Sequence, residues 1–258
     1  MPYATVGDIN LYYKIYGTDG PGLVFAHGGG GNATSWWQQV PAFSTDYRVV
    51  VFDHRGFARS ACPVEAQNPR FFEGDLMAIM DAANIDKATV VCQSMGGWTG
   101  MRAAVYYPDR IRAVFLANTP GAVKTQATQA NMESLLARMQ RSGPTPSEST
   151  NPAISRIFVD KEPALALLYN QIGAYNTKAR PNMGDDAIYV TLDDVKASKI
   201  PFQILASELD PLFPPDLLES VARDIGAPYV CIDGAGHSTY FEKPEAFNAA
   251  LRTFLGQF

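Results

Sequence analysis

The chain has 258 residues, 47% of them hydrophobic, and a formal net charge of −5, so it can bury one sizeable core and is poorly suited to nucleic acid or an anionic membrane surface as its main partner. No run approaches the roughly 18 apolar residues of a membrane span, and the N-terminus shows neither the basic nor the apolar region of a signal peptide. Three scattered cysteines (Cys62, Cys92, Cys231) and three histidines (His27, His54, His237) without ligand spacing argue against a disulfide framework and a metal site, and free thiols fit a reducing cytoplasm.

In chain order, apolar alternation at Leu11, Tyr13 and Ile15 follows the turn signal Gly7-Asp8 and predicts an antiparallel hairpin. Short apolar runs without alternation come next: Leu23 to Ala26, Val49 to Phe52, Thr89 to Cys92, Val114 to Ala117, Phe202 to Ala206 and Tyr229 to Ile232. Such runs suit strands of a parallel sheet, buried on both faces. Helical patterns lie between them, over Phe71 to Ala83, Met95 to Tyr107, Leu217 to Ile225 and Ala246 to Phe254. Strands alternating with helices predict an α/β fold with helices on both faces of a mostly parallel sheet.

The alternation breaks between Ala122 and Ser198. Helix-like pieces at Asn131 to Gln140 and Pro163 to Ala174 are separated by a Pro/Ser/Thr stretch, Gly143 to Pro152. This predicts a core of residues 1–121 and 199–258 and a helical insertion, 122–198, laid over one end of the sheet. The Pro/Ser stretch reads either as a hinge of a lid or as an excursion with no gating role.

The strongest chemical signal is Cys92-Gln93-Ser94-Met95-Gly96-Gly97, where a buried strand meets a helix rich in small residues. A tight strand-to-helix turn projects a serine hydroxyl above a sheet, and the Met95 N–H at the helix start can face an oxyanion. A serine capping an ordinary turn reads the same way. A serine nucleophile needs a base, and His237, in the glycine-rich loop after the last strand, is the one histidine that follows Ser94. The orienting acid should follow the preceding strand; Asp210 is favoured, with Glu208 as fallback and Asp233 as a third choice. The glycines of His27-Gly28-Gly29-Gly30-Gly31-Asn32 let backbone N–H groups approach a ligand. Gly28 to Ala33 also fits a loose dinucleotide fingerprint with Asp53 at the end of the next strand, but the preceding hairpin and His27 at the head of the loop speak against it.

Taken together, His27-Gly28-Gly29, Asp53-His54-Arg55-Gly56-Phe57-Ala58-Arg59-Ser60, the Ser94 segment, Asp210 and Gly236-His237 make the chain resemble the α/β-hydrolase fold family. The resemblance implies Ser94 as nucleophile, His237 as general base, Asp210 as its orienting carboxylate, and the N–H groups of Gly29 and Met95 as oxyanion hole. It also implies structural roles for Asp53 and Arg55 and a helical cap over 122–198. Two positions depart from the family pattern: Cys92 replaces the first glycine of the serine turn, and Ala58 replaces a common loop glycine. The segment from His237 to Pro244 resembles small bacterial esterase-like members. A serine at this position counts against the dehalogenases and epoxide hydrolases of the fold, which use aspartate.

The expected activity is therefore hydrolysis of a small, fairly apolar ester, lactone or related acyl compound, with no cofactor, no metal, and a small molecule as partner of a monomer or homodimer. Rival readings are a C–C bond hydrolase acting beside a ketone, a cofactor-free lyase or oxygenase, and a ligand-binding receptor. Trp36, Trp37, Met132, Leu135, Met139, Phe158, Leu168 and Tyr169 are candidate pocket walls, each with core packing as its competing role.

Overall fold

The computed structural model describes residues 2–141, 151–176 and 182–258, without the side chains of 139–141. Eight strands form one sheet in the order β1-β2-β4-β3-β5-β6-β7-β8. β1 (Tyr3–Val6) and β2 (Ile9–Tyr16) are the expected hairpin, and β2 also runs antiparallel to β4 (Arg48–Phe52). β3 (Gly22–Ala26), β5 (Ala88–Gln93), β6 (Ile111–Ala117), β7 (Phe202–Ser207) and β8 (Tyr229–Ile232) join β4 in parallel. Every apolar run predicted as a strand is one.

Side chains along these strands alternate between two buried layers. Val24, Val90, Cys92, Val114, Leu116 and Ile204 face one core, and Leu23, Phe25, Val91, Phe115 and Leu205 face the other. This is why the strands read as unbroken apolar runs. Helices cover both layers. The helices are α1 (Gln39–Phe43), α2 (Phe72–Ala82), α3 (Gly96–Tyr106), α4 (Gln126–Arg141), α5 (Arg156–Lys161), α6 (Pro163–Ala174), α7 (Leu192–Ala197), α8 (Pro215–Ile225), α9 (Thr239–Glu242) and α10 (Pro244–Leu255). Leu76 and Met80 of α2, Met101 of α3, and Leu218 and Val221 of α8 close the first layer; Phe43 of α1 and Phe247 and Leu251 of α10 close the second.

Within 122–198, α4 begins at Gln126, five residues before the predicted start, whereas α6 has the predicted bounds. Both ends of the segment join the main core: Val123 bridges Val190 in parallel, and Ala122, Ile188 and Val195 are buried with the first layer. The stretch Gly143 to Pro152 lies, up to residue 150, outside the described residues. Among the described residues no helix is long and apolar enough to cross a membrane.

Candidate active site

β5 delivers Ser94. The residue sits in the left-handed region (φ +50°), an uncommon state for a residue with a side chain. Its N–H donates to the Ala117 carbonyl at 3.1 Å, and its own carbonyl accepts the Gly97 N–H at 2.9 Å. The turn is tight enough that a Cβ on Gly96 would strike the Ala26 carbonyl and one on Gly28 would strike the Gln93 amide. Cys92 is accommodated by a second glycine: its Sγ occupies the space where a Cβ on Gly100 would stand. Burial pushes its thiol far up from the ordinary value, so Cys92 is a packing group.

The loops after β7 and β8 meet beside this turn. His237 Nδ1 lies 2.9 Å from Asp210 Oδ2, and both side chains are almost wholly enclosed. Asp210 Oδ2 also accepts from Asn118 Nδ2 at 3.1 Å, while Oδ1 accepts the N–H groups of Leu212 (2.8 Å) and Phe213 (3.1 Å). Glu208, the fallback acid, is exposed and accepts the Gly234 N–H at 2.8 Å. It braces the histidine loop from outside and does not meet the imidazole. Gln93 Nε2 donates to the His237 carbonyl at 3.0 Å, so the residue before Ser94 holds the loop that carries the histidine. The Ser94 hydroxyl is not hydrogen-bonded to His237 in this arrangement. Such bonds are often long in unliganded enzymes and tighten when substrate binds.

The glycine loop after β3 closes the third side. Among the described residues, the N–H groups of Gly29 and Met95 have no protein acceptor. Two unpaired backbone donors flanking a serine are what an oxyanion hole requires. His27 anchors the loop: Nδ1–H donates to the Gly28 carbonyl (2.8 Å) and Nε2 accepts the His54 N–H (3.0 Å). Burial lowers the His27 pKa to about 4, so the ring is neutral. Asp53 receives the Ala33 N–H (2.7 Å) and a two-pronged Arg59 contact. Arg55 pairs with Asp75 instead. Ala58, where a glycine is common, holds φ +39°, a conformation in which glycine is less strained. The dinucleotide reading fails structurally. The loop runs into a four-residue 3-10 turn, Ala33–Trp36, and Asp53 is fully engaged with protein groups, leaving neither a long helix for a pyrophosphate nor a free carboxylate for a ribose.

Helix α6 lies on the glycine loop. Asn32 Nδ2 donates to the Ile172 carbonyl (2.9 Å), Asn176 Nδ2 to the Gly31 carbonyl (3.0 Å), and the Tyr169 hydroxyl meets Ser238 Oγ at 2.9 Å, next to His237. Tyr169 is thus a candidate wall residue that the structure brings to the site. Trp36 is not a wall: it is fully enclosed by Phe25, Tyr240 and Phe247. Trp37 is exposed and borders a surface hollow of 270 Å³ with Tyr12, Tyr16 and Lys14, away from Ser94. Leu168 is turned to solvent. Phe158 packs on Phe241, and Met132 and Leu135 pack into the main core. The Met139 side chain lies outside the described residues.

Gln93 and Glu242 were not singled out in the sequence. Gln93 had a signal, its adjacency to Ser94. Glu242 had none: its carboxylate accepts from Ser155 N (3.1 Å), Ser155 Oγ (2.5 Å) and Gly236 N (3.0 Å), joining α5 to the histidine loop.

A family model described as "alpha/beta hydrolase fold" matches residues 21–244. A 3-oxoadipate enol-lactonase of Acinetobacter baylyi is 26% identical, covering 98% of this chain and 96% of its own. Among solved structures, the enol-lactonase from Burkholderia xenovorans LB400 superposes with a TM-score of 0.78 at 27% identity, covering 99% of this chain and all of its own. A bromoperoxidase from Bacillus anthracis gives 0.80 at 25% identity, covering 98% and 99%.

Proposed function

As the chain belongs to the alpha/beta hydrolase fold family and is a hydrolase, we propose that it cleaves a small, fairly apolar ester or lactone through a covalent serine intermediate. The observation that carries this reading is the enclosed Asp210–His237 pair, 2.9 Å apart, beside a serine in a left-handed turn. The enol-lactonase relatives over almost the full chain support the lactone end of the class.

The contacts around Ser94 support the following sequence of steps. Asp210 accepts the His237 Nδ1–H and so leaves Nε2 as the basic nitrogen. Nε2 takes the Ser94 proton as Oγ attacks the carbonyl carbon. The negative oxygen that forms meets the N–H groups of Gly29 and Met95, donors of a kind each worth about 3–4 kcal/mol of barrier. His237 returns the proton to the leaving alkoxide, which in a lactone remains tethered as the far end of the opened ring. Water, deprotonated by His237, then releases the acid from Ser94.

The test is intact-mass labelling with a fluorophosphonate, wild type beside Ser94→Ala, with p-nitrophenyl acetate and an enol-lactone assayed on the same samples. One adduct per chain in the wild type only, with turnover lost in the variant, is expected. No adduct and no turnover in the wild type would overturn the proposal.

A further inference from the structure

Asn118 follows the last residue of β6, and its polar contacts connect three parts of the site. Its backbone is left-handed (φ +52°) and its N–H donates to the Leu205 carbonyl at 2.8 Å. The preceding carbonyl, that of Ala117, accepts the Ser94 N–H. The side chain is fully buried. Nδ2 donates to Ser207 Oγ at 2.7 Å and to Asp210 Oδ2 at 3.1 Å, and Oδ1 accepts from Thr239 Oγ1 at 2.8 Å. Ser207 Oγ and Thr239 Oγ1 are in turn in contact.

The Asp210 carboxylate only accepts, so the Asn118 edge that faces it is the N–H₂, and counting protons from there fixes the direction of every bond. The Thr239 hydroxyl hydrogen is spent on Asn118 Oδ1, so the Ser207 hydroxyl donates to Thr239 and accepts from Asn118. The three side chains form a closed ring: Asn118 Nδ2–H to Ser207, Ser207 O–H to Thr239, Thr239 O–H to Asn118 Oδ1. The ring alone could run in either sense; the Asp210 carboxylate excludes the reversed sense, which would set the amide oxygen against Oδ2. The second N–H therefore points at Asp210. That bond is the fourth on the carboxylate, after His237 and the two backbone N–H groups, and fills the last of its roughly four acceptor positions.

We infer that Asn118 is a positioning residue. Held by Ser207 and Thr239, it fixes the Asp210 carboxylate in the plane from which it receives the His237 Nδ1–H. The inference rests on the proposed serine mechanism for its kinetic consequence, though the geometry stands apart from it. A buried Asn with a merely structural role would need only the ring; the N–H aimed out of the ring at Asp210 serves the acid. Ser207 and Thr239 also tie β7 to the start of α9, two residues beyond His237, so acid and base are referenced to one amide.

The test records the low-field proton resonance of His237 Nδ1–H, identified by its loss in His237→Gln, and its exchange with solvent. Steady-state kinetics on p-nitrophenyl acetate are measured in parallel. Asn118→Gly suits the left-handed backbone and removes the amide; Thr239→Val keeps the amide but removes the hydroxyl that orients it. The expected result for Asn118→Gly is exchange faster by at least about tenfold and a kcat lower by about ten- to a hundredfold, with KM within about twofold. Thr239→Val should move both in the same direction by less. Exchange and kcat within about twofold of wild type in Asn118→Gly would overturn the inference. So would a fall in kcat with unchanged exchange, because the loss would not pass through the Asp–His bond. Faster exchange in the variants of a protein that turns over no ester would uphold the positioning role and sink the serine mechanism instead.

Discussion

At the scale of the residue, the serine turn is solved by exchanging bulk between two positions. A turn of this kind needs a small residue two before the serine, and here Cys92 stands there. The crossing helix supplies the space through Gly100, whose missing Cβ is where the thiol sits. Gly100→Ala should therefore lower stability by about 1–3 kcal/mol, an overpacking effect, measured as a shift of the urea midpoint with an unchanged m-value. Cys92→Gly added to that variant should recover part of the loss, since it vacates the contested volume. Ser94, Asp210 and His237 were legible because their signals are local: a strand end, a glycine, a following proline. Asn118, Gln93 and Glu242 were not. Their partners lie 89 to 121, 144, and 6 to 87 residues away, and no local pattern marks a side chain whose bonding is set by tertiary contact.

At the scale of the element, short helices do the work of placing loops. α5 is capped by Ser155, whose Oγ accepts the Phe158 N–H while its own N–H and O–H go to Glu242. Gly236 N–H completes the set on the same carboxylate. One side chain thus fastens the helical segment to the loop of His237. In Glu242→Gln an amide N–H₂ would face donors it cannot accept from. The expected cost is about 1–3 kcal/mol of stability, read by thermal unfolding, with a fall in kcat because the Gly236–His237 backbone loses its tether. The strands and long helices were read correctly because an apolar run or a 3.6-residue period is repeated over many positions. The short elements α1, α5, α7 and α9 span six residues or fewer, too few for a period to emerge. For α7 a start signal existed, the reciprocal Thr191 and Asp194 cap. Of the two roles open to Trp36, pocket wall or core packing, it takes the second, a choice the sequence leaves open because four residues do not say which face of a one-turn helix meets the core.

At the scale of the whole molecule, acid sensitivity is built into the layer beneath the glycine loop. His27 and His54 are both buried, with rings 4.4 Å apart and Phe52, Phe57 and Phe72 around them. Burial lowers His27 to about 4 and His54 well below its ordinary value, the nearby His27 adding to the latter. Between pH 6.5 and about 4 the unfolded chain holds a proton on the His27 imidazole that the folded chain refuses. Folding stability is therefore full above pH 6.5 and falls as pH drops toward 4, by about 3 kcal/mol for His27. Urea titrations at half-unit steps across that range check the slope, and His54→Phe, which places an apolar ring among the phenylalanines, should flatten it.

The order of the sheet strands also has a temporal meaning. Ser94 and the loop that receives it belong to the first half of the chain, whereas Asp210 and His237 come from its final fifth. At about 5–20 residues per second, the ribosome makes the serine roughly 7–30 s before the histidine. On the proposed mechanism the nascent protein carries an unactivated hydroxyl through most of its synthesis, and reactivity is expected only when the C-terminal strands dock.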